Sequence, residues 1–63
     1  SSYKKALSKG DILVRLAQIE EVQKNEKKAI KYYQMSLRHF KNERVYLKLV
    51  SFYMPILMKL KAL

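Results

Sequence analysis

Few side chains in this 63-residue chain could do chemistry, and their positions narrow what that chemistry would be. Glu20 follows Leu13, Leu16 and Ala17 at helical spacing, which puts a carboxylate in an apolar stripe. A carboxylate so placed must find a donor or take up a proton. A catalytic acid would need a second carboxylate, a His or a nucleophile on the same face, and none shares it, so a Tyr hydroxyl or a Lys is the expected partner. His39 has no Cys, Asp or second His at metal-ligand spacing and reads as a surface residue. There is no Gly-rich phosphate loop, no nucleophile beside a base and no metal cluster. The expectation is therefore no catalytic residue, no cofactor, no metal and no small-molecule substrate. What remains is charge. Lys27, Lys31 and Arg38, with Gln34 among them, are spaced four, three and four residues apart and form one basic row on a helix. Such a row suits an acidic peptide or a phosphate backbone, or is simply a solvated face.

Composition sets the frame. Fourteen Lys and Arg against five acidic residues give a formal charge of +9, which favours acidic protein partners, nucleic acid or anionic membrane. The absence of Cys removes disulfides and thiolate metal sites as staples and fits an intracellular, cytoplasmic setting. The longest uncharged run, Leu49 to Met58, is far shorter than the roughly 18 to 20 apolar residues of a membrane span. A chain of this length is one small domain, or a fragment of a larger helical-repeat protein, and buries only about 60% of its unfolded surface. Its opening at Ser1, without an initiator Met, favours a fragment or a processed chain.

The elements that must hold these residues are helices. Leu13, Leu16 and Ala17, then Ala29, Ile30, Tyr33, Ser36, Leu37 and Phe40, recur at helical spacing on either side of a polar turn at Asn25-Glu26. The spacing predicts helices near residues 12–24, 26–40 and 43–61. Leu16, Ala29, Tyr33 and Leu37 form the expected hairpin core, and Ile12, Leu13, Ala17 and Ile19 also point inward. A short helix precedes Gly10, where Gly10-Asp11 reads as a stop followed by an N-cap; a continuous helix through Gly10 would cost about 1 kcal/mol relative to Ala. Lys28, Tyr32, Met35 and His39 make an outward strip on the second helix.

The order of residue types resembles the tetratricopeptide repeat (TPR) family. Leu13, Leu16, Ala17, Ala29, Tyr33, Ser36 and Lys41 stand in register with its large, small and aromatic positions, and Glu20 stands where an aromatic belongs. One period of about 34 residues onward, Leu47, Val50 and Ser51 repeat large, large and small. The resemblance runs from Leu13 to Leu63 and implies an adaptor or regulatory module. It also implies that Val14, Gln18 and Glu21 face a concave, peptide-binding surface. Val14 and Gln18 do not reproduce the Lys, Asn and Arg of that family's carboxylate clamp. The same hairpin is similar to microtubule-interacting-and-trafficking (MIT) domains through Ala17, Glu20, Glu21, Ala29 and Tyr33, with Tyr53 to Lys61 like their third helix. That resemblance implies a three-helix bundle binding helical tails of membrane-remodelling proteins. The fold expectation is all-α: an antiparallel hairpin plus a third apolar helix, either TPR-like or bundled.

The third helix carries two apolar stripes. Leu47, Val50, Met54 and Leu57 are expected against the hairpin. Val45, Leu49, Phe52, Ile56 and Leu60, stepping by four, three, four and four, form a coiled-coil-like seam left exposed. Arg44, Lys48, Ser51, Pro55 and Lys59 fill the polar remainder. An exposed seam of this kind predicts a homo-oligomer or an apolar helical partner.

Overall fold

A computed structural model describes residues 2–62 and contains three helices: α1 (Ser2–Val22), α2 (Glu26–His39) and α3 (Glu43–Ala62). The all-α expectation holds, and no strand occurs among the described residues.

The expected break at Gly10 does not occur, because α1 runs through it. Gly10 is buried, and a Cβ built on it would lie 3.5 Å from the Phe40 Cβ and 3.6 Å from the Ser36 carbonyl oxygen. Both are ordinary van der Waals contacts, so α2 lies close enough to bury this position yet leaves room for a methyl group, and the helix runs on because the cost of glycine, about 1 kcal/mol, is too small to break it. The stop comes instead at Lys24, the one described non-glycine residue with positive φ, at 61°. Asn25 N–H donates to the Glu20 carbonyl at 2.8 Å and Lys24 N–H to that of Glu21 at 3.0 Å. These two bonds make a Schellman closure, with Lys where glycine is the usual choice.

Asn25 precedes α2 without capping it by its side chain, which instead donates to Glu20 Oε1 at 3.1 Å. The third helix has a conventional start, since Asn42 Oδ1 accepts from the Arg44 N–H at 3.0 Å. It continues through Pro55, whose ring nitrogen has no proton to offer the preceding turn.

The core is built from small residues. Ala17 and Ala29 are fully buried, Ser36 nearly so, and Tyr33, Val45 and Leu49 complete the buried set. Gly10 and Ala17 lie two turns apart on α1, and Ala29 and Ser36 two turns apart on α2. In an antiparallel pair each small residue of one helix stands opposite a small residue of the other, which lets the backbones close up. The buried Ser36 hydroxyl donates to the Tyr33 carbonyl at 2.7 Å, so nothing polar is stranded there. This geometry sets the phase of α1 and corrects the expected one. Leu16, placed in the hairpin core by its spacing, is 37% exposed, and Ile12 and Ile19 are exposed as well. Tyr32, expected to point outward, packs against the core, and Met35 is half-buried.

The stripes of α3 are likewise exchanged. Val45 and Leu49, expected on an open seam, are buried against the hairpin, and Phe52 packs beside them. Leu47, Val50, Met54 and Leu57, expected to pack, are exposed. The seam is covered only along its first half, and Ile56 and Leu60 continue the same stripe uncovered. Length explains this. The 14 residues of α2 cannot cover the 20 of α3, a difference of about 9 Å of helix.

Candidate functional site: a cleft between α1 and α3

Both α1 and α3 lean on α2, and an open cleft of about 540 Å³ lies between them. Val14, Gln18, Glu21 and Val22 form its α1 wall, Asn42, Arg44, Val45 and Lys48 the α3 side, and Tyr33 its floor. Each position follows from the packing above. Val14 and Glu21 flank Ala17 on the buried side of α1, while Val45 holds α3 onto the hairpin and presents Lys48 and Arg44 on either side of the contact.

One polar cluster joins the three helices. The Tyr33 hydroxyl donates to Glu21 Oε1, and Lys48 Nζ lies 2.9 Å from Glu21 Oε2. The Lys48 ammonium also stands 5.7 Å from the centre of the Phe52 ring, which in turn packs 6.3 Å from Tyr33. Burial pushes the Glu21 carboxyl up. The bonds from Lys48 and Tyr33 and the Lys48 charge outweigh it and hold the group below the ordinary carboxylate value. Burial first, then the bond to Glu21 and its negative charge, drive the Tyr33 phenol far above its ordinary range. Glu21 is thus held as a carboxylate and Tyr33 as a neutral donor, so neither is poised to exchange a proton near neutral pH.

The Tyr or Lys partner expected for Glu20 is not there; Tyr33 and Lys48 both pair with its neighbour Glu21 instead. One residue is about 100° of helix, and that shift follows from the phase set by Gly10 and Ala17. Glu20 takes its hydrogen bond from Asn25 instead.

Val14, Gln18 and Glu21 come together in the cleft. Lys27, Lys31 and Arg38 do not join them. All three are exposed on α2, and Lys27 borders a separate hollow beside the α1–α2 turn with Lys24, Lys28, Ile30 and Ile56. Among the expected seam residues, Val45 belongs to the cleft wall, Leu49 and Phe52 to the packing beneath it, Ile56 to the turn hollow, and Leu60 to none of these. Arg44, Lys48 and Asn42 were missed as site residues. No group of His, Cys, Asp and Glu able to hold a metal occurs among the described residues. Comparison with protein-family models, characterised proteins and solved structures finds no match to this chain.

Proposed function

We propose that the chain is a protein-interaction module that receives a segment of an acidic partner in the cleft between α1 and α3. The observation that carries this is the makeup of the cleft: an apolar and aromatic base of Val14, Val45 and Tyr33, beside Arg44 and Lys48 with only Glu21 opposing them. Arg44 makes no side-chain ion pair among the described residues and is free to meet a carboxylate. Gln18 and Asn42 add amide groups for a peptide backbone. No residue acts as a catalyst in this role. The finer assignment, a TPR-like repeat, draws support from a tight α1–α2 hairpin and from Val14 and Lys48, one repeat apart, lining one cleft.

An amide chemical-shift titration with a short acidic peptide carrying Leu and Phe tests the proposal. Shifts are expected at Gln18, Val22, Arg44 and Lys48, and Arg44→Glu should weaken binding roughly five- to ten-fold. Shifts confined to Lys27, Lys31 and Arg38 would move the site to the basic row of α2 and defeat the cleft assignment.

A further inference from the structure

The last two turns of α3 are used neither by the hairpin nor by the cleft. Met54, Ile56, Leu57, Met58 and Leu60 are all exposed, Leu60 to 61%. Lys59 and Lys61 stand on either side of Leu60, each displaced about 100° around the helix. Their stems can lie along the apolar surface while the ammonium groups reach outward. Beyond Glu43, α3 contains no acidic residue.

This tip lies at the end of the molecule that holds the α1–α2 turn, since Ile56 shares a hollow with Lys24, Asn25, Glu26, Lys27, Lys28 and Ile30. The turn and the tip together present Lys24, Lys27, Lys28, Lys59 and Lys61 around exposed apolar side chains, with Glu26 as the only acid in either segment.

We propose that this end of the molecule docks on an anionic lipid surface, with Ile56, Leu57 and Leu60 entering the headgroup boundary and the lysines meeting lipid phosphates and carboxylates. No helix among the described residues is long and apolar enough to cross a membrane; the tip lies in the interface instead. Charge selects this occupant over two others. A second copy docked by two-fold symmetry would set one lysine-rich end against another. A nucleic-acid backbone would satisfy the lysines but leave Leu57, Met58 and Leu60 in water. The apolar tip is short, so its binding must draw on both burial and charge, the two-signal requirement of stable interfacial anchoring. This surface is separate from the cleft and independent of what the cleft binds.

Flotation with phosphatidylcholine vesicles, with and without phosphatidylserine, tests it. The chain should bind the anionic vesicles at least about ten-fold more tightly, each lysine contributing roughly five-fold at low salt. Leu57→Glu with Leu60→Glu, and separately Lys59→Glu with Lys61→Glu, should each remove most of that binding while the far-ultraviolet spectrum stays helical. Leu60→Trp, in an otherwise unchanged chain, should show a blue-shifted emission on anionic vesicles, a readout that does not depend on the charge variants folding. Equal binding to both vesicle types would overturn the proposal. So would undiminished binding by the Leu57→Glu, Leu60→Glu variant, an unshifted Trp emission, or a dimer formed through the tip that no longer binds vesicles. Tight binding to a duplex DNA fragment that the same apolar variant leaves intact would replace the lipid with nucleic acid.

Discussion

Glu21 is the residue on which the three helices meet, and its chemistry makes its contribution depend on pH. Its carboxyl is held below the ordinary value of 4.5, so the stability it adds is present above that value and is lost as pH falls through the folded-state pKa. Urea midpoints measured from pH 7 down to pH 3 should fall more for the native chain than for Glu21→Gln, which keeps an acceptor for Tyr33 but has no charge to titrate. Parallel acid profiles would show that the cluster is not formed. Two other residues carry backbone consequences. Gly10 sits inside a helix with ordinary van der Waals room for a Cβ, so Gly10→Ala should raise stability by about 1 kcal/mol. Lys24 holds a left-handed conformation that suits glycine, so Lys24→Gly should stabilise by about 0.5–1 kcal/mol. Thermal unfolding of the two variants checks both. A loss of stability in Gly10→Ala would mean that α2 approaches more closely than 3.5 Å allows.

Among the elements, α3 is the one whose two apolar faces must be told apart. Leu49 is 7% exposed against the hairpin, whereas Leu47, only two residues earlier, is 56% exposed. Leu49→Ala should therefore cost about 2–4 kcal/mol through lost burial and a residual cavity. Leu47→Ala should change stability by no more than about 0.5 kcal/mol. Reversed magnitudes in denaturant unfolding would restore the opposite facing of the helix. The hydrogen bond from the Gln34 amide to the Tyr53 hydroxyl, 2.9 Å long, ties α2 to α3 just before the tip. Beyond it α3 has little to rest on, and its remaining apolar residues stay open to partners.

Taken as a body, the chain is elongated, 49 × 23 × 13 Å, with a radius of gyration of 13.2 Å, against about 11 Å for a compact domain of this length. It exposes 5485 Å² for 7.5 kDa, about 1,200 Å² more than a compact monomer of that mass. That excess is comparable to the surface a modest protein interface buries. Self-association through the first half of α3 would draw on the exposed Tyr46, Leu47, Val50 and Met54 and not on the buried Val45 and Leu49. The charge of +9 opposes it, and salt screens that repulsion while leaving apolar burial intact. Sedimentation equilibrium at high micromolar concentration should therefore give a mass that rises with salt. Leu47→Glu with Met54→Glu should hold the chain monomeric. A native mass unchanged by salt would remove self-association and leave this face to a different partner.

Periodicity was enough to establish the helical class, the burial of Ala29 and Tyr33, and the grouping of Val14, Gln18 and Glu21, because these follow from local spacing and from one helix meeting the next. It placed the first turn slightly late, at Asn25-Glu26, where the chain turns over residues 23–25 and Glu26 already opens α2. Rotational phase did not follow from it. On α1, counting large side chains favours Leu16 over Gly10, and on α3 two apolar stripes, one through Leu47 and one through Leu49, compete with nothing in their spacing to say which meets the hairpin. On α1 the choice goes to the face whose small residues, Gly10 and Ala17, meet Ser36 and Ala29 of α2, and on α3 it goes to the face that packs Val45, Leu49 and Phe52 on the hairpin. The facing of α1 so set also explains why Glu21, not Glu20, meets Tyr33 and Lys48. Those partners lie 12 and 27 residues further along the chain, a separation that no local pattern reports and that only the folded arrangement of three helices brings within bonding distance.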